Sequence, residues 1–566
     1  MFKKSPKNCF KPVLPSSSSS SGCISNITET IETPEQYNKT NQSGPVLSYF
    51  NYFLLPQVDL VVESDLEYTP LALNIARNRE NRVYISSSIY SHLCDIKQQI
   101  EKYQDTWDNI KKFTNPYEYI HSNISGNKTN ISKLRPLSRS FYKMIEIVKN
   151  NNILSQYEHT YVPQPDSKAG IKTFHLAEGP GGFIEAIAYL RGTEYQRRVQ
   201  TTARQTEGNT TSASASASAS ASASASASAS ASASAPIQIL KRNTEFHDEY
   251  MKEQEYMKLS RRIFDTQNEA STIYANDRYY GMTLVNDDPI CPGWKKTRTF
   301  LENHPTVIIE NGADKTGNLI SLENFLYCAE KYKNNMDIVT ADGGFDFSVD
   351  FNRQERMATQ LILCEVYYAL AIQKPGGTFI LKIFDVFHKT TVDILYILSY
   401  YYHNVSIVKP YTSRVANSEK YVVCQGFKIT DSREIIRQFE SIFPSLMEEG
   451  DDSVSSFLPF EHDLYFLNRI EEMNAIVSFQ QIENITSTLS IITNHRNAEK
   501  LEQYKRANVM KCIAWCEKYD IPHNTQHTCF QSTNIFLHKS MSMSMSMSAS
   551  LSSGNIRFDV SEHKTV

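Results

Sequence analysis

FHLAEGPGGFIEAIAYL, Phe174 to Leu190, is the stretch on which the fold turns. An apolar run enters a glycine-rich turn, and the turn opens into an apolar-periodic stretch. That order predicts strand, loop and helix, with the helix N-terminus facing a polar or anionic group. Three ligands compete for Glu178-Gly179-Pro180-Gly181-Gly182-Phe183. A Walker loop requires a following Gly-Lys-Ser/Thr, which is missing. A dinucleotide fingerprint requires glycine at the first, third and sixth places. Gly179 and Gly181 supply two, and Ile184 takes the last. S-adenosylmethionine has no phosphates to cradle; a tight turn lets backbone come close to it, and Glu178 can pair with its cationic end. A strand-to-helix turn with no ligand also satisfies these residues.

Outward from this stretch the text alternates. Strands are predicted at Thr173–Ala177, Tyr279–Val285, Thr306–Glu310, Met336–Ala341, Gly377–Phe384, Val405–Val408 and Tyr421–Phe427. Helices are predicted at Asn318–Tyr332, Arg353–Ile372 and Thr390–Tyr401, and upstream at Ser86–Ile110 and Ser138–Val148. The rhythm is that of an α/β fold: a Rossmann-like, mostly parallel sheet with helices on both faces. Residues 136–430 form this domain, between helical flanks at 45–135 and 431–538. The segments 1–44 and 539–566 are low-complexity and read as disordered. A Ser-Ala insertion at about 198–240 interrupts the domain; its side chains bury too little area to offset the entropy of ordering. The charged text behind it, Lys241–Arg262, reads as a solvated helix.

Bulk composition excludes several classes. With 58 Lys+Arg against 62 Asp+Glu, the chain has no global basic footprint for nucleic acid, so any such surface is local. The ten cysteines are scattered, as in a reducing compartment. The start has no apolar core of a secretory signal, and no window reaches the roughly 20 apolar residues of a membrane span. The chain is therefore expected to be intracellular and not secreted.

Charged residues near predicted strand ends carry the chemistry. Asp342 follows Met336–Ala341 and precedes Gly343-Gly344, at the end of a strand where such sheets bind ligands. Lys382 lies inside FILKIFD. A lysine in a central strand requires a charged partner, whereas one in an edge strand is simply solvated. Glu419 stands immediately before the last apolar strand, and Lys143 lies on the amphipathic stretch Ser138-Arg139-Ser140-Phe141-Tyr142-Lys143. Lys409 and Arg414 are available for phosphate groups or for solvent. Cys512, Cys516, His523, His527 and Cys529 lie close together, but their spacing is not a common finger pattern, and Lys511–Cys516 also reads as an amphipathic helix anchored by Trp515. No metal is assigned.

Taken together, Leu176–Phe183, Asp342-Gly343-Gly344, Leu381-Lys382-Ile383-Phe384 and Ser413-Arg414…Asn417-Ser418-Glu419…Tyr421-Val422-Val423-Cys424 resemble the FtsJ-like RNA ribose 2′-O-methyltransferases. More narrowly, they resemble the enzymes of eukaryotes and large DNA viruses that methylate the first nucleotides of capped mRNA. The resemblance covers Ser138 to Lys428 and implies a catalytic Lys-Asp-Lys-Glu tetrad at Lys143, Asp342, Lys382 and Glu419. It implies S-adenosylmethionine as cofactor, held by Glu178, Gly179, Pro180, Gly181, Gly182, Phe183, Asn318, Leu319 and Asp342. Asn318 departs from the acid that family members often carry there. The implied partner is RNA, chiefly capped mRNA, with the capping or transcription machinery nearby. Lys382 is expected either to take the 2′-proton as a neutral amine or to stabilise the alkoxide as a cation. Methylation of ribosomal or transfer RNA, and a catalytically silent RNA-binding subunit, are the competing readings.

Overall fold

The computed structural model describes residues 52–60, 62–64, 67–78, 82–126, 129–157, 170–193, 276–285, 293–344, 351–448, 454–494 and 498–525. The expected disordered termini, the Ser-Ala insertion and the charged stretch after it lie outside these residues. Among those described, eight strands pair into one sheet. In chain order they are β1 (Tyr52–Leu54), β2 (Lys172–Leu176), β3 (Arg278–Met282), β4 (Val307–Glu310), β5 (Met336–Ala341), β6 (Gln373–Ile383), β7 (Tyr402–Val408) and β8 (Lys420–Phe427). Their order across the sheet is β1-β7-β8-β6-β5-β2-β3-β4. Strands β4, β3, β2, β5 and β6 run parallel, and β8 runs antiparallel between β6 and β7.

The period of two along each strand sorts its side chains into two cores. Val339, Leu381 and Val422 face one layer; Ile338, Ile380 and Val423 face the other. The first layer holds α5 (Leu322–Tyr332), α6 (Thr359–Ile372), α7 (Lys389–Tyr401), α8 (Arg433–Leu446) and α9 (Leu464–Thr493). The second holds α3 (Ser140–Asn150), α4 (residues 182–193) and α10 (Ala498–Lys518). Two further helices, α1 (Ser87–Glu101) and α2 (Gln104–Thr114), precede them. Helix α6 is apolar on nearly every side because it is wedged between the sheet and α5, α7 and α8.

Three details depart from the sequence reading. The N-terminal flank is not only helical: β1 adds to β7, with Phe53 opposite Ile407, and Ala76–Arg77 pairs with Val454–Ser456. Asn318–Tyr332 begins as a helix only at Leu322, where Ser321 accepts a hydrogen bond from Asn324 N and caps it. Ser86–Ile110 breaks into α1 and α2 at Lys102-Tyr103.

Candidate active site

The same alternation builds the site. Asp342 follows β5 in phase with Ile338 and Thr340. Lys382 is in phase with Ile380 and sits in register opposite Tyr421 of β8. All three therefore face the layer that contains α3, and α3 delivers Lys143. Lys382 is thus a central-strand lysine, and the edge-strand alternative falls. Its Nζ donates to the Asp342 carbonyl at 2.7 Å and stands 3.3 Å from Asp342 Oδ1. Lys143 Nζ meets Glu419 Oε1 at 2.7 Å and Tyr421 Oη at 3.3 Å. The Tyr421 hydroxyl donates to Asp342 Oδ1 at 3.0 Å, so it links the two ion pairs. Ser413 Oγ donates to Glu419 Oε1 at 2.8 Å and fixes that carboxylate. All four sequence-predicted tetrad residues are brought together.

Their electrostatics follow from burial and neighbours. Burial alone would raise the Glu419 carboxyl; Lys143 and Lys382 reverse that and hold it well below the usual carboxylate range. Burial pushes Lys143 down, against Glu419 and Asp342. Burial also opposes the Lys382 charge, but Asp342 and Glu419 outweigh it, and the net shift is upward. Lys382 therefore rests as an ammonium, and Lys143 is the lysine whose proton is held less firmly.

The glycine loop lies at the C-terminal end of β2. Glu178 Oε1 accepts from Phe183 N at 2.5 Å, capping α4, while the buried Oε2 has no hydrogen-bond partner among the described residues. Burial, then Asp342, raises the Glu178 carboxyl well above its ordinary value. Gly181 has φ 104°, in the left-handed region that favours glycine. A Cβ on Gly182 would stand 2.2 Å from Ser138 Oγ and from Ser140 Oγ, so this glycine lets the start of α3 pack on the loop. Pro180 lies between Gly179 and Gly181, and Phe183 at the end of the loop is fully buried. The orphaned Glu178 oxygen at the strand end fits the cationic, phosphate-free ligand expected there.

Asn318 and Leu319 sit where a loop folds over the end of β3, with Val285 N donating to Thr316 O at 2.7 Å. Asn318 Oδ1 accepts from Ile320 N at 3.0 Å, and Leu319 is buried. The Asn318 amide thus shapes its own turn, the task an acid at this place would perform equally well.

Other expectations change. Arg414 does not face solvent freely: it grips Glu118 at 2.8 and 3.0 Å. Lys409 is buried, and its Nζ donates to Asn417 O at 2.8 Å and Glu419 O at 2.9 Å. Both brace the loop that carries Glu419, Lys409 from a buried position and Arg414 with its side chain 30% exposed. Beside that loop opens a cavity of about 300 Å³ lined by Lys97, Trp107, Asp108, Lys111, Arg414 and Asn417. Cys512 and Cys516 are buried on α10, and Cys512 donates to Pro116 O at 3.5 Å; His527 and Cys529 lie outside the described residues. Tyr421 and Ser413 stand in the motif quoted above without an assigned role, and Glu118 and Trp107 escaped the sequence reading. The one signal in the text was Tyr421 itself, an in-phase neighbour of Glu419 across a single residue.

The strand order, the glycine loop and the charged cluster define the class, a Rossmann-like α/β domain with a charged site at the strand ends. Residues 266–427 match the family described as FtsJ-like methyltransferase. That match begins after the insertion; β2 and the glycine loop precede it in sequence and join it in space. Over 199 residues the chain is 33% identical to "Cap-specific mRNA (nucleoside-2'-O-)-methyltransferase 1" of Trypanosoma brucei brucei, covering 34% of this chain and 52% of that protein. It is 30% identical over 224 residues to the protein of the same name from Dictyostelium discoideum, covering 38% and 28%. It is 28% identical over 212 residues to "Inactive cap-specific mRNA (nucleoside-2'-O-)-methyltransferase 1B" of Caenorhabditis briggsae, covering 35% and 25%. The chain thus spans about half, or less, of the length of these relatives.

Proposed function

We propose that this chain transfers a methyl group from S-adenosylmethionine to the ribose 2′-hydroxyl of RNA, at the first transcribed nucleotides of capped mRNA. One observation carries the reading: Lys143, Asp342, Lys382 and Glu419 converge around Tyr421 beside the glycine cradle. The names of the relatives support the capped-mRNA substrate. A silent subunit, such as the relative named inactive, has no need of two buried lysines held by two carboxylates, an arrangement costly to keep.

Glu178, Gly179 to Gly182, Asn318, Leu319 and Asp342 would hold the cofactor, with the orphaned Glu178 Oε2 meeting its cationic end. When bound, it supplies an electrophilic methyl and a neutral thioether leaving group. Lys382 faces the 2′-oxygen as an ammonium and stabilises the alkoxide that develops. Asp342 and Tyr421 keep it aimed. The lysine pair takes the 2′-proton once one of the two has released its own, and burial makes Lys143 the easier to discharge. The rate should therefore rise from acid pH as the pair loses its first proton. The cavity beside the Glu419 loop, with the Trp107 ring and the Lys97 and Lys111 stems, offers a partly aromatic wall for the RNA 5′ end, its cations paired with Asp385, Asp108 and Glu118. Capped RNA as substrate implies an intracellular site of action.

The test is Lys382→Ala. Methyl transfer should fall by roughly three orders of magnitude or more, while S-adenosylhomocysteine still binds within about threefold. Substantial transfer in this variant would reject the assignment.

A further inference from the structure

A carboxyl group that neither the cores nor the tetrad explain lies under the Asp342-Gly343 turn. Glu365, on α6, is fully buried. Among the described residues, neither of its oxygens makes a hydrogen bond of full geometry, and the Gly343 N–H gives the carboxylate only weak support. Its Oε1 fills the space a side chain at position 343 would occupy: a Cβ on Gly343 would stand 2.1 Å away. Gly343 is out of phase with Asp342, so Glu365 approaches the strand end from the sheet face opposite the tetrad. An ionised carboxylate buried with so little donor support is far costlier than one that keeps its proton. Burial, eased by Lys382, accordingly pushes this acid up to about 8. Buried groups left short of partners call for an explanation.

We propose that Glu365 is a positioning residue for the methyl transfer, held as an uncharged acid behind Lys382 and Asp342, and that its ionisation shuts the site down. The inference rests on the function proposed above. The titratable groups facing it are Lys382 on β6, Asp342 just after β5 and Cys364 on its own helix; Leu361 and Gly343 complete its surroundings without charge. While Glu365 is neutral, Lys382 answers to Asp342 and Glu419. Once ionised, Glu365 sets a third carboxylate against the same ammonium. That cancels the positive field at the developing alkoxide and tightens Lys382 on its proton. The first effect slows the reaction where Lys382 acts as an ammonium and the second where it acts as a base, so in either role the rate falls as pH rises through the Glu365 transition.

The experiment measures kcat for transfer to capped RNA at saturating substrates across the neutral to alkaline range, for the wild type and Glu365→Gln. The amide keeps the shape of the neutral acid and cannot ionise. The wild type should lose roughly tenfold in kcat from about pH 7 to about pH 9, and Glu365→Gln less than about twofold. Superimposable profiles would overturn the inference. So would a folded Glu365→Gln that binds S-adenosylhomocysteine and is inactive at every pH. If that variant does not fold, the wild-type profile decides alone: no fall by about pH 9 overturns the inference. A wild type inactive on capped RNA at every pH would overturn the function itself and this inference with it.

Discussion

Tyr421 shows how much of the site lies between residues and not in them. Its hydroxyl touches Lys143 and Asp342, residues from two distant segments, because β8 pairs with β6 in a register that sets Tyr421 beside Lys382. Tyr421→Phe should leave the fold intact and lower kcat roughly tenfold, in line with the loss of one buried hydrogen bond to a charged group; an unchanged kcat in steady-state assays would deny it an aiming role. The four charged positions were legible because each stands in a recognisable string, such as Asn417-Ser418-Glu419 or Ser140-Phe141-Tyr142-Lys143. Tyr421 and Ser413 were not, since strand register cannot be read from either strand alone. Arg414 and Lys409 misled for the same reason: their partners, Glu118 and the Asn417 and Glu419 carbonyls, are invisible until the loop closes.

At the scale of elements, the strands were legible almost throughout, because a doubly covered sheet demands runs such as MDIVTA and FILKIF. β1 was not: three residues give no measurable period, and its partner β7 lies far along the chain. The insertion interrupts α4 and β3, yet both ends are bolted together. Arg191 holds Asp277 through contacts of 3.0 and 2.9 Å, with both side chains about 1% exposed. Replacing residues 198–240 by a short Gly-Ser linker should therefore change Tm by no more than a few degrees and keep methyl transfer within about twofold. Arg191→Ala should cost about 3–5 kcal/mol, because it strands a buried carboxylate. Urea unfolding of both variants checks the pair; a destabilised linker variant beside an unperturbed Arg191→Ala would contradict it.

The whole molecule binds its flanks into the catalytic unit. Glu146, one turn beyond Lys143, accepts from Tyr411 N at 2.7 Å and from Trp515 Nε1 at 3.2 Å, tying α3 to the Glu419 loop and to α10. His175, buried in the sheet between Thr173 and Thr340, is pushed down to about 3 by burial. Its folded value lies below its unfolded value of about 6.5, so its contribution is complete above about pH 6.5 and declines below it by about 1.4 kcal/mol per pH unit. His175→Gln should thus remove about 2 kcal/mol from the difference in unfolding free energy between about pH 7 and pH 5. An unaltered difference in denaturant titrations would contradict a neutral His175. The central claim is tested most directly by methyl transfer from labelled S-adenosylmethionine to matched short RNAs with and without a methylated guanosine cap. The account predicts label on capped RNA alone, at a ribose 2′-oxygen, and none when the first transcribed nucleotides already carry 2′-O-methyl groups. Equal labelling of the uncapped RNA, or none on either with the cofactor bound, would contradict it.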